Sequence, residues 1–258
     1  PTPYPLVNQI LDRLLREMHA ILGSKLVGVY LYGSLVTGDF DLDISDIDLM
    51  ALVATEIDAV EFVALQQMYD RLSADLPAWH DRIETAYLSV AGLKHFRTRS
   101  SRMGNISPGE PFHILDAGAD WLMNWYNVRT TGIALYGPPP AEVIDPIAPE
   151  DYVQAVREHV AGWQPWLEHA HARPAQAYII LTMCRALYTC RHGHSTSKRQ
   201  AALWAKNELP AWASTIDNAL RWRISWREPV ADPEATRPET IRFVEFITAL
   251  ILADKTKG

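Results

Sequence analysis

Apolar residues recur at helical spacing from Pro5 to Leu22 (Leu6, Ile10, Leu14, Met18 and Leu22), which predicts an amphipathic helix. Three short runs rich in β-formers follow, at Leu26–Tyr32, Asp46–Val53 and Ile83–Val90, and these predict strands. Between the last two, Ile57 to Leu76 returns to helical spacing and is closed by Pro77. Helices packed on a small sheet are the architecture that this rhythm implies. From Ala117 onward the texture changes. Ala117–Thr130, Pro149–Glu168, Ala175–Arg191, Lys198–Glu208, Pro210–Arg223 and Pro238–Ala253 all predict helices, and no strand is expected among them. The tract Gly137-Pro138-Pro139-Pro140 is a semi-rigid connector. The expected fold is therefore α+β. A domain built on a small mixed sheet occupies 1–145, and an all-α helical bundle occupies 146–258.

Composition narrows the class without naming it. A chain of 258 residues, 48% apolar and 21% charged, can form two modest domains with their own cores. The longest apolar stretches, Ile179–Met183 and Ala249–Ala253, are far too short to cross a bilayer, so no membrane partner is expected. No basic segment leads into an apolar run at the N-terminus, and a cytoplasmic location is the expectation. Cys184 and Cys190 stand six apart on a predicted helix, ~9 Å along its axis, beyond disulfide reach. The net charge of −7 disfavours nucleic acid as a partner and suits a cationic small molecule. A monomer is expected. Six of the nine tryptophans (Trp121, Trp125, Trp163, Trp166, Trp204 and Trp212) fall at helical spacing and are assigned to the core.

The chemistry gathers in one stretch: Tyr32-Gly33-Ser34, then Asp46-Ile47-Asp48. Side chains two apart on a strand point to the same face, so Asp46 and Asp48 converge while Ile47 and Leu49 pack on the other side. Two carboxylates so close repel each other unless a cation sits between them, and Mg²⁺ completed by substrate phosphates answers that conflict. Glu84, a charged residue inside a strand-like run, supplies the third carboxylate that two-metal phosphoryl or nucleotidyl transfer requires. Gly33 lets the backbone approach a ligand closely, and Ser34 opens a helical turn whose amides and hydroxyl can receive phosphate. Ser45 is a second hydroxyl within reach of phosphate or metal. Each part alone is ordinary, since Gly-Ser is a common turn and Asp-x-Asp a common solvated edge. The combination is not: strand, Gly-Ser, about a dozen residues, Asp-hydrophobic-Asp, and a later acid on a strand.

This combination resembles the signature of the nucleotidyltransferase superfamily related to DNA polymerase β. The whole chain resembles the aminoglycoside adenylyltransferases that modify streptomycin and spectinomycin. The resemblance rests on Ser45-Asp46-Ile47-Asp48-Leu49, Gly132-Ile133-Ala134-Leu135-Tyr136-Gly137-Pro138, Leu181-Thr182-Met183-Cys184-Arg185, Ser197-Lys198 and Ala205 to Pro210. It implies that Asp46, Asp48 and Glu84 bind Mg²⁺ (two ions), with Glu84 also the general base on the attacking hydroxyl. It implies further that Ser34 and Ser45 contact the phosphates of ATP, and that Lys198 reaches the triphosphate. Trp222 falls near an aromatic that packs on the nucleotide in the family.

One departure bears on the acceptor. Streptomycin-modifying members carry a Trp and an Asp just before the Leu-Thr-rich helix. The matching stretch here, His169 to Gln176, lacks both and holds Arg173. Trp163, Trp166 and Glu168 lie nearby but out of register. Asp120, with Glu110 and His113 before it, is a candidate for binding substrate amines. His192-Gly193-His194 is assigned to a polar turn between helices, and Lys94, Arg97, Arg99 and Arg102 to a solvated surface. Three readings of function remain: AMP transfer to an aminoglycoside-type small molecule, transfer to another acceptor such as a protein, and a non-catalytic nucleotide-binding protein on this fold.

Overall fold

A computed structural model describes residues 2–163, 165, 167, 170–225, 232 and 234–253. The chain divides into two compact units, up to Pro146 and from Ile147 onward.

The first unit is built on a six-stranded mixed sheet. In chain order its elements are α1 (Pro5–Leu22), β1 (Leu26–Tyr32), α2 (Ser34–Thr37), β2 (Ile47–Val53), α3 (Ala59–Asp75), β3 (Ile83–Ser89), α4 (Val90–His95), β4 (Ser101–Ser107), β5 (Glu110–Ala117), α5 (Leu122–Thr131), β6 (Ile133–Tyr136) and α6 (Pro140–Val143). The strands lie in the order β5-β4-β3-β2-β1-β6. Only β2 and β3 run parallel, because α3 crosses between them; every other pair is antiparallel.

The period-2 alternation of the strands sorts their side chains onto two faces. On one, Val29, Leu31, Ile47, Leu49, Ala51 and Val53 pack against Val7, Ile10, Leu14 and Met18 of α1 and Leu65, Met68 and Leu72 of α3. Each such fully buried aliphatic contributes about 1.5–3 kcal/mol. The start of α3 is fixed by a capping box, in which Asp58 accepts from the amides of Val60 and Glu61 while the Glu61 side chain accepts the Asp58 amide. The Tyr69 and Tyr87 hydroxyls meet at 2.8 Å inside this core, a buried polar pair ringed by Phe112. The opposite face carries Tyr30, Tyr32, Asp48, Met50, Glu84 and Ala86, and α5 packs against β1 there.

The second unit is helical: α7 (Pro149–Ala161), α8 (Arg173–His192), α9 (Lys198–Glu208), α10 (Ala213–Ile224) and α11 (Arg237–Ala253). Helix α8 is its axis and touches the other four. Its apolar residues run nearly all round, from Ile179, Ile180 and Leu181 to Met183, Cys184 and Leu187, as a helix surrounded by partners requires. Gln176, fully buried on α8, donates to the Ala170 carbonyl at 3.1 Å and accepts from the Thr236 and Thr240 hydroxyls. No described helix is long and apolar enough to cross a membrane, and no disulfide joins Cys184 and Cys190.

Three expectations change. The hairpin β4–β5 was assigned no strands, because polar and charged residues interrupt its apolar positions and its pairing is visible only against β3. A strand, β6, does occur beyond Ala117, and it went unseen because four residues at a sheet edge before a proline tract carry almost no periodic signal. Of the tryptophans assigned to the core, Trp125 and Trp163 are buried, whereas Trp121, Trp204 and Trp212 are half-buried, and Trp166 lies outside the described residues. Trp204 instead meets Tyr188 and His192 edge-on, where Gly193 ends α8 in the left-handed region.

The Tyr69–Tyr87 pair gives a stability prediction. Tyr69→Phe leaves the Tyr87 hydroxyl buried without this partner and should lower the unfolding free energy by about 1–3 kcal/mol. The double change Tyr69→Phe/Tyr87→Phe should recover part of that loss, as read by urea denaturation.

Candidate active site

Strand register alone builds the centre of the site. Tyr32 of β1 stands opposite Asp48 of β2, and Asp48 stands beside Glu84 of β3. The three side chains form one row on the α5 face. Asp46 precedes β2 by one residue and lies two positions from Asp48, on that same face. Oxygens of Asp46, Asp48 and Glu84 all lie within 4.8 Å of one another, the only such group of potential metal ligands among the described residues. All three side chains are partly exposed, so the cluster is open to a ligand.

The turn after β1 is shaped around this row. Gly33 has φ 71° and ψ −147°, a conformation that L side chains rarely adopt. A Cβ at this position would collide with Asp48 Oδ2 and lie 2.6 Å from the Asp48 carboxyl carbon. Glycine is therefore required twice, by the backbone and by the carboxylate that occupies the space of its missing side chain. Ser34 follows at the start of α2, and its hydroxyl is buried with no hydrogen-bond partner among the described residues. An orphan hydroxyl beside a carboxylate cluster is a donor waiting for a ligand oxygen.

Ser45 has a different place from Ser34. Its Oγ accepts the Asp41 amide at 2.9 Å, and its amide donates to the Asp41 carbonyl at 2.8 Å, so it closes the loop that leads into β2. Arg82, at the entry to β3, pins this loop from the other side. Its guanidinium donates to the carbonyls of Ser45 and Leu42 and lies 4.3 Å from the Trp79 ring centroid, while the Arg82 carbonyl accepts the Ile47 amide. The sequence reading passed over Arg82. Its one signal was a cation two residues before the candidate acid Glu84.

Tyr32 was also passed over. It is 5% exposed, and its hydroxyl makes no hydrogen bond of good geometry, although the Asn124 side chain of α5 lies beside it. Burial, and then the charges of Glu84, Asp48 and Asp46, push its phenol well above the usual range, so it stays protonated.

Within the first unit, the remaining candidates lie outside this cluster. Asp120 is exposed in the turn before α5, where its side chain accepts the Gly118 amide at 2.8 Å. Glu110 and His113 pair loosely on β5, at 3.6 Å. Lys198 and Trp222 belong to the second unit. Lys198 opens α9 behind the N-cap Ser197, with its ammonium 4.0 Å from the Tyr178 ring centroid. Trp222 on α10 is 9% exposed with the Arg173 guanidinium over its ring. Glu168, His169 and Trp166 lie outside the described residues.

Comparison with known proteins shows what the chain is similar to. Residues 142–249 match the family described as aminoglycoside adenylyltransferase, C-terminal domain. The aminoglycoside (3'') (9) adenylyltransferase of Escherichia coli is 26% identical over 253 residues, 93% of each chain. The chain is similar to the aminoglycoside adenylyltransferases along nearly its whole length. It is a nucleotidyltransferase. The spectinomycin 9-adenylyltransferase of Staphylococcus aureus is 24% identical over 83% of each chain. The fold is that of the spectinomycin adenyltransferase AAD(9) from Enterococcus faecialis, solved with ATP and spectinomycin, with a TM-score of 0.74, 16% identity and coverage of 95% of this chain and 98% of that one.

In this adenylyltransferase fold, Gly33→Ala should abolish detectable nucleotidyl transfer and cost about 1–3 kcal/mol in strain, read by parallel activity and denaturation measurements. Arg82→Ala should free the loop that carries Asp46. It should lower kcat at least tenfold, while the unfolding free energy falls by about 1.5–3 kcal/mol, the range for hydrogen bonds from a charged group.

Proposed function

We propose that this enzyme transfers AMP from ATP to a hydroxyl of an aminoglycoside-type antibiotic and releases pyrophosphate, with spectinomycin favoured over streptomycin. The observation that carries this reading is the row of Asp46, Asp48 and Glu84, their oxygens within 4.8 Å, beside the orphan hydroxyl of Ser34. A purely oxygen donor set with three carboxylates fits Mg²⁺, and family resemblance favours two ions. When bound there, Mg²⁺ would offset the carboxylate repulsion and the charge that develops on the transferring phosphate.

The chain's own residues then have definite tasks. Glu84 accepts the proton of the acceptor hydroxyl. The freed oxygen bonds to the α-phosphorus, the bond from that phosphorus to the bridging oxygen breaks, and pyrophosphate leaves with the electron pair. Ser34 donates to a phosphate oxygen, and Gly33 lets the phosphate approach the backbone. Ser45 keeps the loop closed that holds Asp46 in place and retains a hydroxyl proton for a phosphate. Lys198 supplies positive charge to the triphosphate, and Asp120, exposed, offers its carboxylate to a cationic group of the acceptor. Positioning and electrostatics supply the rate, with no covalent enzyme intermediate.

The preference for spectinomycin rests on the stretch His169 to Gln176, which lacks the Trp and Asp of streptomycin-modifying members and carries Arg173 against a dication. The relative in Staphylococcus aureus, named for spectinomycin alone, points the same way.

Mass spectrometry of each drug after incubation with enzyme, ATP and Mg²⁺ tests this. An AMP adduct on spectinomycin is expected, at a rate that falls about 10²–10⁴-fold in Glu84→Ala. An equal adduct on streptomycin would overturn the preference. No adduct on either drug would overturn the antibiotic acceptor.

A further inference from the structure

Two tyrosines of β1 point to the α5 face, and their surroundings differ. Tyr30 folds back over Gly28, with Glu142 the charge that acts on it. Tyr32 stands in the carboxylate row itself, opposite Asp48 and one strand further from Glu84. Its hydroxyl is buried, has no well-formed hydrogen bond, and feels all three carboxylates. The Asn124 side chain of α5 lies beside it.

A carboxylate that turns one oxygen to a cation needs a donor for the other, and such outer partners fix the direction of the ligand. A neutral phenol has one proton to offer, and Tyr32 is buried beside two of the three ligands. We propose that Tyr32 is a positioning residue for this centre: its hydroxyl donates to the outward oxygen of the Asp48–Glu84 pair when a divalent cation is held, and Asn124 steers the phenol from α5. This rests on the cation-binding reading of the row given above. Tyr32 touches neither nucleotide nor acceptor in this role and acts through the carboxylates alone.

The test uses the full chain and Mn²⁺ alone, with binding followed by electron paramagnetic resonance of the free ion. Tyr32→Phe keeps the ring and removes only the hydroxyl. It should weaken Mn²⁺ binding about 10-fold or more, the usual effect of losing an outer partner. The kcat for AMP transfer should fall with it, while KM for ATP stays within twofold. Tyr30→Phe removes an equally buried hydroxyl from the same strand and should change neither quantity. If Tyr32→Phe does not fold, Asn124→Ala should show the same losses in smaller degree. Mn²⁺ affinity and kcat equal to wild type in the folded variant would overturn the role of Tyr32. A wild type that binds no Mn²⁺, or an Asp48→Asn variant that binds it equally well, would instead overturn the cation site and this inference with it.

Discussion

Three carboxylates held within 4.8 Å of one another repel, and a fold that keeps them there needs a rigid frame and a cation to relieve them. The sheet supplies the frame. The antiparallel β1–β2 pairing and the parallel β2–β3 pairing set Tyr32, Asp48 and Glu84 in one row. The other face of those strands is locked by aliphatic packing on α1 and α3, so neither Asp48 nor Glu84 can leave the row without moving the core.

Everything near the row accommodates it. Gly33 gives up a side chain so that the Asp48 carboxylate can occupy that space. Ser45 and Arg82 tie down the loop that carries Asp46, from within and from β3. Ser34 keeps a buried hydroxyl that no partner among the described residues satisfies. Local structure is spent here on the ligand rather than on stability, as expected of a functional site. The hydrophobic face secures the fold, and the opposite face carries the chemistry.

The same division explains what could be read in the sequence. Asp46 and Asp48 share a face by the two-residue period, and Glu84 stood out as a charge in a β-rich run, so the three acids were legible. Helices α1 and α9 and strand β1 were legible to the residue, because strong periodicity met clear stop signals at Gly23, Pro210 and Gly33. The pairing that brings Glu84 beside Asp48 was not legible, since a parallel register depends on how α3 crosses and not on local pattern. Nor was the use of Arg82: a guanidinium that reaches back 37 residues to the Ser45 carbonyl leaves no periodic trace. Tyr32 read as one more aromatic strand residue until the register put it in the row. The edge strand β6 was lost for its shortness.

A carboxylate row that holds a divalent cation with a nucleotide couples both ligands to stability, and thermal melting reads that coupling. Wild type and Asp46→Asn would be melted in EDTA, and again with millimolar Mg²⁺ and ATP. Asp46→Asn should melt at or above wild type in EDTA, because one repelling charge is gone. Mg²⁺ with ATP should raise the wild-type midpoint by roughly 5 °C or more and that of the variant far less. A wild type unmoved by Mg²⁺ and ATP, or a variant stabilised as much as wild type, would show that the row does not hold the cation and nucleotide.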